Sequence, residues 1–445
     1  MSVLPEIPSD IIEKIPASST LTQSSENIAS RPTEESIHEL KYALDDCPDG
    51  GLRAWLIVAG HLLGCSPCLR PLHFVNSWGV FQSYYQTNVL KDIPPSDIAW
   101  IGSIQYSLVF LPGLLAGRLF DLGYFRPLFA TCSILLVVAT LLVAECHEYW
   151  QLLLCQGFAV GLACGGIMNP TAAVLSHWFK KRLRFALGLM AVGSSLGGTV
   201  IPIAARNLLP LVGFKWTMRI IALILLLGLG LSNLLIKRRF PPTDVRGGLF
   251  NFHEFKSASF SLYCASTLTS FLGIYTVLTY IDVSATKVGV PEDFSFYLVS
   301  IANCSSGFGR YFAGLLGDRI GAMNVMIPFT AASAIVTYSW PFARDQSSLI
   351  TIAVIYGFTS GSFVSLLCAP IIEFGDTADV GRRVGMMMSI LAVGALVGPP
   401  ISGSINTATR GFEAVGYYAG SAIIVSVGLM SASRYLVLRQ LYGKL

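Results

Sequence analysis

The chain has 445 residues, 53% of them apolar and 13% charged, with a net charge of +4 and a mean hydropathy of +0.62. That balance excludes an ordinary soluble domain, and the small positive charge, concentrated in short links between apolar runs, excludes a nucleic-acid binder. The ten cysteines are scattered, many inside apolar runs, as small core residues are and a disulfide framework is not.

Residues 1–48 are rich in Ser, Glu, Pro and Thr and have no apolar period. They read as a disordered tail, and without the basic start, apolar core and cleavage site of a signal peptide the tail is expected to stay in the cytosol. From Arg53 onward, apolar runs recur at about 20 residues, the length that carries a helix across about 30 Å of hydrocarbon. Spans are predicted over 53–81, 97–117, 126–146, 149–174, 183–206, 215–236, 259–282, 294–316, 322–342, 348–372, 384–408 and 415–438. Backbone groups cannot go unpaired in lipid, so these are helices. The expected fold class is an all-α membrane protein of twelve transmembrane helices in two six-helix pseudo-symmetric halves. Its expected organisation is a tail (1–48), a first half (49–236), a basic linker (237–258) and a second half (259–445).

The first span is irregular. Gly64-Cys-Ser-Pro-Cys-Leu-Arg-Pro-Leu-His73 places two prolines and Arg70 at mid-membrane depth. Two readings fit, a broken helix lining a cavity or an error in the gene from which the chain is translated, and the second is favoured. Cys65 and Cys68 have CxxC spacing without a second ligand pair, so no metal or other cofactor is expected. With the tail inside, Arg118, Lys180, Lys181, Arg182, Lys237, Arg238, Arg239, Arg319, Arg382 and Arg383 fall on inner links, against Lys91, Lys215, Lys287, Arg344 and Arg410 on outer ones. Both termini are therefore expected in the cytosol of a plasma-membrane protein.

The stretch from Gly157 to Pro202 recurs two hundred residues later, sharing Gly157/Gly357, Gly161/Gly361, Pro170/Pro370, Arg182/Arg382 and Gly198/Gly398. The common layout carries more than the identities: a Gly-rich apolar helix, a proline, a charged link with arginine, and a second Gly-rich helix, as a two-fold-symmetric transporter requires. Two further links match. Gly113-Leu-Leu-Ala-Gly117-Arg118-Leu-Phe-Asp121 follows the second span, and Gly314-Leu-Leu-Gly317-Asp318-Arg319 ends the eighth. Each sets small residues where helices touch and an Asp at a helix end beside an Arg. Such an Asp can bond the N-terminal amides of a neighbouring helix and lock the inner gate. Gly117, Arg118, Asp121, Gly314, Asp318 and Arg319 are the candidate gating residues.

These links resemble those of the major facilitator superfamily, whose hallmark is G-x-x-x-D-R-x-G at these two places. The second copy fits; the first has Leu122 where the Arg would stand, which implies a looser lock. Pro48-Asp49-Gly50-Gly51, Val75-Asn76-Ser77-Trp78-Gly79 and Trp178-Phe179-Lys180-Lys181-Arg182 are similar to signatures of the monocarboxylate-transporter-like branch, especially its fungal members.

Arg310 lies deep in the eighth span, two turns before Asp318, and a cation there is costly unless it meets a cavity or a partner. The resemblance implies that an Arg at this position binds the substrate carboxylate. It also implies a coupling proton, carried in that branch by an Asp four residues earlier and a Lys in the first helix; here those positions hold Ser306 and Asn76, which argues against proton symport of lactate-like acids. Asn76, Asn303, Asn169 and Tyr275 join Arg310 as candidate substrate-binding residues. Asp282, Glu373 and Asp376 sit at span ends and read as interfacial. No phosphate-binding loop or catalytic constellation is present, so the chain is not expected to be an enzyme or an ATP-driven pump. The expected partners are the bilayer and a small molecule. The leading reading is transport of a small organic acid by alternating access; the alternatives are export of a secondary metabolite and a riboflavin-like cargo.

Overall fold

A computed structural model describes residues 49–68, 81, 84–239, 248–375, 379–440 and 443–444. Among these residues the chain is helical, without a strand. The spans are α1 (Leu52–Cys68), α2 (Asp97–Asp121), α3 (Phe125–Val143), α4 (Tyr149–Ser176), α7 (Ala258–Lys287), α8 (Glu292–Ile320), α9 (Ala322–Phe342), α10 (Gln346–Glu373), α11 (Val380–Thr409) and α12 (Glu413–Leu438). Between α4 and α7, one run over Leu183–Leu235 contains α5 and α6, which meet at a kink at Gly213 (φ 74°, ψ 171°). A loop was expected there. Glycine instead takes a left-handed conformation and turns the chain back without a linker. Of the irregular first span, Pro67 lies in the last turn of α1, whereas Arg70 and Pro71 fall among residues 69–80, outside the described residues.

Local sequence explains the breaks. Pro112 has no N–H to donate, and α2 is interrupted at Leu111–Pro112 before resuming at Gly113. The backbone of α7 is interrupted at Ile274–Tyr275, and the Tyr356 hydroxyl donates to the Ile274 carbonyl. Asp345 begins α10 with a capping box, accepting from the Ser348 amide at 3.0 Å. Gly321, at φ 102°, ends α8.

Outward faces carry exposed Leu223, Leu227, Leu234, Ile335 and Val393, an apolar girdle suited to acyl chains. Helix–helix seams depend on absent side chains. A Cβ on Gly309 of α8 would lie 2.0 Å from the Phe358 carbonyl oxygen of α10, and one on Gly357 2.0 Å from that of Ala302. On the face opposite the basic links, Glu145 pairs with Lys215 at 2.8 Å and Arg219 at 2.9 Å, tying the α3–α4 link to the start of α6.

These contacts separate structural glycines from spare ones. Gly309→Ala and Gly357→Ala should each cost about 1–3 kcal/mol as overpacking and lower the thermal midpoint in detergent. Gly428→Ala, with open space around it, should be neutral or gain up to about 1 kcal/mol from helix propensity. Equal midpoints for all three would contradict the packing described.

Candidate functional site

An α-helix begins with amides that have no intrahelical acceptor and with the positive end of its dipole. On the basic face of this molecule, two such starts are met by carboxylates from the other half. Asp121, buried at the end of α2, accepts from the amides of Gly381 at 3.0 Å and Arg382 at 2.8 Å, at the start of α11. Asp318, near the end of α8, accepts from the Arg184 amide at 3.1 Å, at the start of α5. The approach needs glycine on both sides: a Cβ on Gly117 would stand 2.0 Å from the Gly381 oxygen, and one on Gly188 would stand 2.9 Å from the Cα of Gly314. Arg118 is buried in the last turn of α2, whereas Arg319 is exposed in the last turn of α8.

The α2 copy, expected to be the looser one because Leu122 stands where an arginine would, is bonded to two amides and is almost fully buried. Arg238, from the link after α6, donates to the Phe120 and Asp121 carbonyls and stacks over the Phe120 ring at 4.9 Å. A distant arginine thus covers the end of α2.

Around this pair lie groups the sequence did not single out as a site. Asp49 accepts from the amides of Lys180 and Lys181 at 2.7 Å and of Arg182 at 3.2 Å, fastening the start of α1 to the α4–α5 link. Glu373, read as interfacial, pairs with Arg184 at 2.6 Å between the halves. Asp379 takes Arg382 at 2.6 Å and Asn251 at 3.3 Å, and Arg382 also reaches the Gly248 carbonyl at 3.3 Å. The Asp-Gly-Gly signature and the basic linker marked these segments, but no local pattern gave the pairings.

Further into the bundle, Arg310 is buried. Its Nη1 donates to the Ala191 carbonyl of α5 at 2.8 Å, and its Nε donates to Ser306 Oγ at 3.1 Å. Tyr275, Asn303, Ser306 and Arg310 line one cavity of about 20 Å³ together with Ser360 and Gly361. That volume holds about one water. Asn303 Nδ2 donates to the Gly198 carbonyl of α5 at 3.3 Å, also between the halves. Asn169 does not line this cavity. It donates to Val109 at 3.2 Å and Gly165 at 2.7 Å, bonding a carbonyl of α2 just before the Pro112 break. Asn76 lies outside the described residues, as does Asp376. The side-chain amide of Gln105 is buried with no hydrogen-bond partner, as is Nε2 of Gln156, and nothing in the sequence distinguishes either from packing. The chemistry available at the centre is that of a desolvated, forked cation facing a backbone carbonyl that an anion could displace.

Comparison with known proteins agrees with this architecture. The family model described as Major Facilitator Superfamily matches residues 72–281 and again 257–440. An MFS-type transporter of Gibberella moniliformis is 33% identical over 411 residues, covering 92% of this chain and 95% of that protein. The aspyridones efflux protein apdF of Emericella nidulans is 32% identical over 381 residues, 85% of this chain and 77% of its own length. The fujikurins efflux protein of Gibberella fujikuroi is 32% identical over 441 residues, 97% and 93% respectively. Among solved structures, the human organic anion transporter MFSD10 superposes with a TM-score of 0.68 at 15% identity, covering 85% of this chain and 98% of its own; at that identity it speaks to the fold. A helical bundle that joins its halves by carboxylates on helix N-termini, and matches the family model over both halves, belongs to the Major Facilitator Superfamily.

Proposed function

We propose that this multi-pass transporter moves an organic anion by rocking its two halves about Arg310, and that the anion is an acidic secondary metabolite carried out of the cell. The observation that carries the reading is Arg310 itself, a buried guanidinium set between the halves and held by a carbonyl and a hydroxyl. A bound anion offers it a stronger, bidentate partner than the Ala191 carbonyl. The fungal relatives named for efflux of aspyridones and fujikurins support export of a secondary metabolite. The likeness of Asp49-Gly50-Gly51 and Trp178-Phe179-Lys180 to the monocarboxylate-transporter-like branch supports an acid as the chemical class.

In this proposal the basic face is cytosolic, and the conformation described is the one closed to the cytosol. Asp121 and Asp318 are the bolts. Each helix-end contact is worth about 0.3–1 kcal/mol when exposed and up to about 2 when partly buried. Opening to the cytosol breaks both and separates Glu373 from Arg184. The anion-loaded Arg310 releases Ala191 and so weakens the seam from its centre.

Two outcomes test this reading. Asp318→Asn removes the charge and keeps the shape, so a cysteine placed at Ser195, buried against Gly307 of α8, should react from the basic side up to about 30-fold faster; unchanged labelling would refute the bolt. At equal surface expression, Arg310→Lys keeps the charge without the fork and should weaken organic-acid efflux, while Arg310→Ala should abolish it. Near-normal efflux by the alanine variant would end the anion reading.

A further inference from the structure

The surfaces that must part to admit cargo are aromatic. Tyr106 and Phe110 stand one turn apart on α2, and Phe271 and Tyr275 stand one turn apart on α7, in the other half. Tyr106 meets Tyr275 edge-on with ring centroids 5.0 Å apart, and Phe110 meets Phe271 edge-on at 5.3 Å. Phe271 also lies 5.6 Å from Tyr275 and 6.4 Å from Phe363 of α10. All five rings are buried, and Tyr275 lines the same cavity as Arg310. The Tyr106 hydroxyl is buried, and its polar neighbour is the hydroxyl of Tyr275.

Edge-to-face pairs are held by ring quadrupoles and by the area they bury. A carrier that separates them must replace both terms or lose them. A short aliphatic acid replaces neither, because it cannot touch rings on both halves while its carboxylate sits on Arg310. A flat ring system can enter between the α2 and α7 aromatics, exchange ring–ring contacts for ring–cargo contacts, and offer a polar ring substituent to the hydroxyls of Tyr106 and Tyr275. We propose that Tyr106, Phe110, Phe271 and Tyr275 form a planar-ring subsite split between the halves, so that the cargo is a ring-bearing, conjugated organic anion. This rests on the anion reading proposed above and adds the part of the molecule that Arg310 does not choose.

The test uses the purified full chain in liposomes preloaded with one of two probes, coumarin-3-carboxylate, which is flat and conjugated, or cyclohexanecarboxylate, which is neither. Wild-type protein should release the flat acid about tenfold faster, the ratio that ~1.4 kcal/mol of ring contact provides. Tyr106→Leu and Tyr275→Leu should bring the ratio to within about twofold of unity, while Tyr106→Phe, which keeps the ring and guards against a folding defect, should keep most of it. Equal release of both acids by wild type, or an unchanged ratio in both leucine variants, overturns the subsite and leaves the anion reading standing. Release of neither acid overturns both.

Discussion

The closed state depends on a pairing of opposites that a membrane protein must arrange at its edge: helix N-termini whose amides lack acceptors, and carboxylates too costly to leave uncompensated. Asp121 and Asp318 answer the starts of α11 and α5, and each contact joins one half to the other. Neither carboxylate could reach its amides past ordinary side chains, so Gly117, Gly188, Gly314 and Gly381 are part of the same device. The surrounding ion pairs of Glu373 and Asp379 fix the arginines beside those amides.

The same two seams continue upward into the candidate site. Along α5 and α8, Arg184 meets Asp318 and, about 12 Å deeper by helical rise, Ala191 meets Arg310. Because one pair of helices carries both contacts, a ligand that draws Arg310 from Ala191 acts on the seam that Asp318 closes. Along α2, Asp121 lies at the end of the helix that presents Phe110 and Tyr106 to α7. The proposed gate and the proposed site therefore lie on the same helices, so in that proposal a central event needs no separate relay to reach the face.

Much of this was legible in the chain because it is written in periodic or repeated terms. Apolar runs of membrane length gave the helices, and the recurring Gly-rich links gave the positions of Asp121 and Asp318 before any contact was known. Arg310 stood out because a cation at that depth needs a reason. The contacts that escaped are those that join distant segments through single atoms. Asp49 on the α4–α5 link, Arg238 on the end of α2 and Glu373 on Arg184 are fixed by tertiary packing and leave no spacing in the sequence. The bonds of Asn169 escaped for the same reason: its Nδ2 donates to the Val109 carbonyl just before the Pro112 interruption, which no local pattern announces. The α5–α6 turn was hidden because a single glycine, Gly213, does what a loop was expected to do.

The central claim is that the two carboxylates jointly hold the basic face shut. It is tested most directly by pulsed electron-paramagnetic-resonance distances between spin labels at exposed Tyr124, after α2, and exposed Ile320, at the end of α8, on a cysteine-depleted background. The account predicts one short distance in the parent protein and a dominant longer one in the Asp121→Asn, Asp318→Asn double variant, with each single variant in between. A double variant whose distances match the parent's would contradict it.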